Sequence, residues 1–94
     1  MASSISSGSL TANTLLFDGR NRLNAITVLG DGTNAVTVTV YDNNTNAGQI
    51  IAKVILKAGN TLEHVLFENP VKAELGLYVV IAGVGAEVFV FYGG

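Results

Sequence analysis

The sequence predicts an all-β fold, an antiparallel β-sandwich of jelly-roll or Greek-key type with six to seven short strands. Three observations carry this reading. Runs rich in Val, Ile, Thr, Tyr and Phe recur at spacings of about 8–12 residues, the rhythm of strands in sandwiches and small barrels. Turn-forming clusters such as Asp18-Gly19-Arg20-Asn21 and Gly30-Asp31-Gly32-Thr33-Asn34 separate those runs. No stretch repeats its apolar residues with the 3.6 period of an amphipathic helix.

Residues 1–13 are Ser-rich, with Ile5 and Leu10 isolated and without period. Alone they bury too little apolar surface to order themselves. They are read as an N-terminal arm, and residues 14–94 as a single β-sandwich domain. The arm either frays or orders on a neighbouring surface. In the second case Ser3, Ile5 and Leu10 are its candidate contacts.

Residues 14–17 are a short strand candidate. In residues 22–29, Leu23, Ala25 and Leu29 share one parity and Ile26 and Val28 the other. The Asp31-Gly32 pair then supplies the positive φ that tight hairpins need. Residues 35–41 alternate most cleanly, with Val36, Val38 and Val40 opposite Thr37, Thr39 and Tyr41. After the polar loop 42–48, residues 49–57 place Ile50, Ala52, Val54 and Leu56 inward and Ile51, Lys53, Ile55 and Lys57 outward. Their density of β-branched side chains disfavours the rival helix. Ala58-Gly59-Asn60 turns into residues 61–67. Pro70 breaks that strand, because it cannot donate to a ladder. Residues 71–74 cross over, and Gly76 ends that segment.

The closing stretch reads as a hairpin, with residues 77–82 folded against residues 86–92 across Gly83-Val84-Gly85. A strand with one wet face alternates apolar with polar residues. Here only Glu87 interrupts an apolar surface on both faces. Something therefore covers the second face, and in a chain this small that cover is another subunit. Tyr78, Phe89 and Phe91 are the candidate interface residues.

Length and composition agree with an oligomer. A chain of 94 residues and 9.8 kDa is one domain. It should expose ~5,200 Å² when folded and ~14,000 Å² when unfolded. Apolar burial then contributes about 135 kcal/mol, against about 140 kcal/mol for ordering the chain. A lone monomer has no evident surplus. The charged fraction of 13% is about half the usual value, which suits a surface packed against others. A net charge of −2, with five scattered basic residues, argues against nucleic-acid binding. There is no cysteine, so disulfides, Cys–zinc sites and thiol nucleophiles are excluded. The first ten residues lack the basic and apolar regions of a signal peptide. No apolar run approaches the ~18–20 residues of a membrane helix.

Candidate chemistry is sparse. His64 is the single histidine, and no Gly-x-Ser-x-Gly elbow accompanies it. Asp42-Asn43-Asn44-Thr45-Asn46 opens like a calcium loop. The match then fails, because Ala47 stands where Gly is needed and Lys53 where a bidentate Glu is needed. Asn43-Asn44-Thr45 is a glycosylation sequon with no secretion signal to give it meaning. Gly83-Val84-Gly85 joins two strands rather than opening a helix, so it is no dinucleotide site. The carboxylates Asp18, Asp31, Asp42, Glu63, Glu68, Glu74 and Glu87 fall in different segments, without the pairing that acid–base work needs. The expectation is a non-enzymatic protein without cofactor or metal.

Several segments together resemble small virion structural proteins of tailed bacteriophages. Tyr41-Asp42, the Asn-rich turn and the strand from Ile50 to Leu56 are similar to their middle strands, and Ala58-Gly59-Asn60-Thr61-Leu62 to the turn that follows. Asn69-Pro70-Val71, then Gly76-Leu77-Tyr78-Val79-Val80, then the Gly83-Val84-Gly85-Ala86 turn and the alternating strand to Tyr92 resemble their C-terminal signature. The likeness covers roughly residues 25–92. It implies a β-sandwich of the capsid decoration or cement type, with no reaction and no cofactor. The implied protein oligomerises, as a trimer on local three-fold positions, and binds the major capsid protein of an assembled shell. Its place is the capsid surface of the virion, after assembly in the host cytoplasm, with neither nucleic acid nor membrane as partner. The alternative is a head-fibre, tail-fibre or head–tail junction module, which would use loops such as 42–48 and 30–34 for host attachment or connector assembly.

Overall fold

Eight strands and no helix form among the described residues of the computed structural model, which are 5–45 and 48–93, with 68–70 described by backbone alone. In chain order they are β1 (Ile5–Ser6), β2 (Thr14–Asp18), β3 (Asn21–Leu29), β4 (Val36–Asp42), β5 (Gln49–Leu56), β6 (Leu62–Ala73), β7 (Gly76–Ala82) and β8 (Glu87–Tyr92). They make two antiparallel sheets, β1-β8-β3-β6 and β2-β7-β4-β5, here called sheets A and B. First pairs with last, second with seventh, third with sixth and fourth with fifth. A long hairpin rolled into two layers gives this order, which is a jelly roll. The expected sandwich is therefore present, with its topology resolved.

Period-2 patterning drives the layers together. Val36, Val38, Val40, Val54, Leu56, Leu77 and Val79 of sheet B meet Leu23, Ile26, Val28, Val88 and Val90 of sheet A in one buried cluster. Fully burying each such side chain contributes roughly 1.5–3 kcal/mol. The folded chain leaves 5138 Å² exposed to water, close to the expectation for its mass.

The closing stretch is not a hairpin. β7 lies in sheet B and β8 in sheet A, so they face each other across the core instead of pairing edge to edge. A strand, a glycine turn and a strand read alike in both arrangements. What decides is that Leu77 and Val79 on one strand, and Val88 and Val90 on the other, must share a single core. The Asp31-Gly32 turn also passes between sheets rather than closing a hairpin, although Gly32 has the expected positive φ of 83°. Only β4 and β5 are consecutive in the chain and adjacent in a sheet.

Three further expectations change. β6 does not stop at Pro70. Between the pairs Ala25↔Leu66 and Leu23↔Val71, β3 advances two residues while β6 advances five. The extra residues bulge out, and a bulge tolerates a proline that cannot donate. Residues 71–73 therefore continue β6 instead of crossing over. Ile50 and Ile51 exchange roles, because a register shift falls between Val40 and Tyr41. Ile50 pairs with Tyr41 and is exposed, while Ile51 packs against the core. The arm, from Ile5 onward, belongs to the sandwich. β1 extends sheet A beside β8 and adds the strand that the sequence reading did not include.

The turn between β7 and β8 rests on Gly83, at φ 142°. A Cβ there would lie 2.7 Å from the Ala35 carbonyl oxygen and 3.0 Å from Val36 Cα. We predict that Gly83→Ala lowers stability by more than about 1 kcal/mol, seen as a lower urea midpoint. Gly59→Ala, also at positive φ but with nothing within 4 Å of its Cβ, should cost less.

Candidate functional site

The two outer faces of the sandwich carry most of the candidate residues. On sheet A, Ile26 and Val28 point into the core, so Ala25, Thr27 and Leu29 point out. Cross-strand pairing sets each between two neighbours. The rows are Leu66–Ala25–Phe91, His64–Thr27–Phe89 and Leu62–Leu29–Glu87. Six of these nine side chains are apolar. Ala25 is 4% exposed yet stands outside the core cluster, because Phe91 and Leu66 flank it. Leu66 is 72% exposed and Leu62 58%. Arg22 opposite Lys72 bounds the patch at one end.

The outer face of sheet B is different. Its first row is Leu15–Tyr78–Tyr41–Ile50, an aromatic pair between two aliphatic side chains. Val80–Thr39–Lys53 and Ala82–Thr37–Ile55 follow. The three expected interface residues are thus not brought together. Phe89 and Phe91 lie on the outer face of sheet A, and Tyr78 lies on the opposite side of the molecule. Their grouping presumes a hairpin between residues 77–82 and 86–92, and these two strands belong to different sheets.

The arm residues are also dispersed. Ser3 lies outside the described residues. Ile5 pairs with Tyr92 and is exposed. Leu10 bridges Val88 through backbone hydrogen bonds of 2.8 and 2.9 Å and packs against the core. Polar side chains secure this segment. Ser7 Oγ accepts the Val90 N–H at 2.9 Å, and Asn13 Oδ1 accepts the Ile81 N–H at 2.9 Å. Serine and asparagine signal disorder in isolation. Beside a free strand edge they instead complete its hydrogen bonding.

The titratable groups act locally. His64 is exposed, with Nδ1 2.7 Å from Thr27 Oγ1. Asp42 Oδ1 accepts the Glu74 and Leu75 N–H groups at 2.9 and 2.8 Å. The start of the calcium-like loop thereby ties down the link between β6 and β7. Asn46 and Ala47 of that loop lie outside the described residues. Arg20 and Lys72 both pair with Glu74, at 3.0 and 3.4 Å, in exposed contacts worth little. Among the described residues no group of three His, Cys, Asp or Glu could hold a metal, and no cavity opens.

The sequence reading missed Leu62 and Leu66. The signal was available. In residues 62–67 both parities are apolar, as in the closing stretch, since Val65 and Phe67 oppose Leu62 and Leu66. No family model, no curated protein and no solved structure matches the chain.

Asp31 caps its own turn. Its carboxylate accepts the Asn34 N–H at 2.9 Å, the Thr33 N–H at 2.8 Å and the Asn34 side-chain amide at 2.8 Å. These bonds, that from the Asn34 backbone foremost, hold its pKa below the ordinary 3.8. A depressed folded-state pKa contributes stability above the unfolded value, and that contribution is lost as pH falls through the folded one. We predict that an NMR titration places the Asp31 midpoint below 3.8. Asp31→Ala should lessen the loss of stability on acidification in that range.

Proposed function

We propose that the chain is a non-enzymatic structural protein of a tailed-bacteriophage virion, a decoration or cement subunit that oligomerises and binds an assembled capsid shell. The observation that carries this reading is the apolar outer face of sheet A. A sheet face that stays in solvent is mostly polar. Here Ala25, Leu29, Leu62, Leu66, Phe89 and Phe91 surround one Thr–His pair. Such a face suits permanent contact with a neighbouring copy or with the major capsid protein. The resemblance of residues 25–92 to phage virion proteins supports the same role. So does the low charge, because few surface charges need desolvation when a shell is coated. Many copies on a lattice also convert weak contacts into firm attachment. On this reading the subunits sit as trimers on local three-folds of the capsid surface, after assembly in the host cytoplasm.

One observation favours a second reading, a head- or tail-fibre or head–tail junction module. Tyr41 and Tyr78 are cross-strand partners on the outer face of sheet B, flanked by Leu15 and Ile50. A flat aromatic pair of this kind suits the apolar face of a host glycan.

The readings separate by location. Cryo-electron microscopy of the virion should find the chain at capsid three-folds, and density confined to tail or portal would overturn the decoration role. We further predict that Phe89→Asp and Phe91→Asp each leave a folded protein, by circular dichroism, that no longer self-associates or no longer co-sediments with shells. If both changes unfold the chain, these residues belong to the core and the interface lies elsewhere.

A further inference from the structure

We infer that β6 is a self-pairing edge, through which a second copy of this chain extends sheet A across a two-fold axis. The four sheet edges are β1 and β6 in sheet A, and β2 and β5 in sheet B. Three of them are blunted. β1 has two residues, β2 carries a register shift after Leu15, and β5 carries one at Ile51 and presents Lys53. β6 holds its bulge and Pro70 beyond Leu66, but from Leu62 to Leu66 its register with β3 is unbroken.

The direction of the free backbone groups follows from the ladder. The Gly30 N–H donates to the Thr61 carbonyl at 2.9 Å, so Gly30 and Thr61 form a hydrogen-bonded pair. Such pairs alternate along an antiparallel ladder. Val28 with Glu63 and Ile26 with Val65 are therefore also hydrogen-bonded. Leu62, His64 and Leu66 occupy the alternate positions, where side chains approach more closely. The 2.7 Å contact between His64 and Thr27 fits that assignment. The N–H and C=O groups of Leu62, His64 and Leu66 consequently point outward, away from β3.

These three residues are self-complementary. With the two-fold axis at His64, that residue meets His64 of the second copy, and Leu62 meets the second copy's Leu66. All are hydrogen-bonding positions, giving about six bonds between copies. The exposed leucines then cover one another on the outer face. Glu63, the one charged residue of the stretch, falls opposite Val65 of the second copy. The two glutamates are diagonal neighbours, two residues apart along the strands and ~8 Å from each other, exposed to solvent, so their repulsion is screened and opposes the contact only weakly. β5 lies beside β6 on this flank. Of nine exposed large hydrophobics among the described residues, Ile50, Ile55, Leu62 and Leu66 lie on these two strands, so the flank is rich in exposed apolar surface. A contact this short buries less than the ~1,600 Å² of standard stable interfaces, so the pairing is a weak one.

The pairing does not depend on the virion reading, and it is tested on the purified full chain. The chain has no cysteine, so introduced ones are unique. In the proposed register the two His64 Cα atoms sit about 5.5 Å apart, within disulfide reach. Mild oxidation of the H64C variant should give a covalent dimer. The L66C variant should stay monomeric, because its two positions are ~13 Å apart. The H64P variant removes an outward N–H and the exposed imidazole contact with Thr27, but no backbone hydrogen bond between β3 and β6. It should keep its circular dichroism and cooperative unfolding while the mass by light scattering falls to half, whether the starting particle is a dimer or a pair of trimers. The inference is overturned if H64C does not cross-link, if L66C cross-links as readily, or if folded H64P keeps the parent mass. Should H64P fail to fold, the two cysteine variants decide alone.

Discussion

One layer of aliphatic side chains holds this molecule together. Two four-stranded sheets face each other, and Val36, Val38, Val40, Leu77 and Val79 of one meet Ile26, Val28, Val88 and Val90 of the other. Neither sheet can bury its inner face without the other. Because the first strand pairs with the last and the second with the seventh, each sheet is also built from both ends of the chain. Almost every stabilising contact is therefore non-local. The entropy of closing those loops must be spent before the core forms, which places the chain among slow-folding β topologies. It also explains why Ser7, Leu10 and Asn13 are fastened to β8 and β7 with specific hydrogen bonds. A short N-terminal strand contributes little area and has to be held by its backbone.

What was legible in the sequence was the alternation. Val36, Val38 and Val40 opposite Thr37, Thr39 and Tyr41 name both a strand and its buried face, and the structure places them so. The class of fold follows from enough such runs. Which strand neighbours which does not follow, because alternation records the depth of a side chain and not its partner. Residues 77–92 illustrate the gap. Their inner faces were correctly apolar, yet the two strands belong to different sheets. Bulges are the second blind spot. One extra residue at Ile51 exchanges the sides of Ile50 and Ile51, so Ile50 emerges into solvent and Ile51 packs against the core, while the strand from Ala52 onward keeps its expected side. Pro70 misled for a related reason. Its missing donor excludes it from a regular ladder, but not from a bulge.

The candidate surfaces show the same asymmetry. That two strands were apolar on both faces was visible from residues alone, and Phe89 and Phe91 do lie outside the core. Their grouping with Tyr78 was not recoverable, since it depends on sheet membership. Leu62 and Leu66 were within reach of the same rule, applied to residues 62–67. The interruption at Glu68-Asn69-Pro70 drew attention to where that strand ends rather than to which edge it forms.

The apolar outer face and the open edge are one physical problem seen from two directions. A sheet edge is a row of donors and acceptors, and proteins that must remain apart blunt such rows with charge, brevity or bulges. This chain blunts three edges and leaves the first half of β6 regular. Along that half the side chains beside the free groups are Leu62 and Leu66, the latter the most exposed large hydrophobic among the described residues. On a protein selected to stay monomeric, regular backbone and bare leucine at the same margin would combine two hazards. On a protein selected to assemble they reinforce each other. Backbone bonds set the register, and the leucines supply the area. Across a two-fold axis at His64, the outer grid of Ala25, Leu29, Leu62, Leu66, Phe89 and Phe91 becomes continuous with its copy. The edge contact is weak by itself, but it would double the apolar area that the pair presents to a third surface. Assembly on a lattice gains from that arrangement, because each added copy enlarges the face on which the next contact forms.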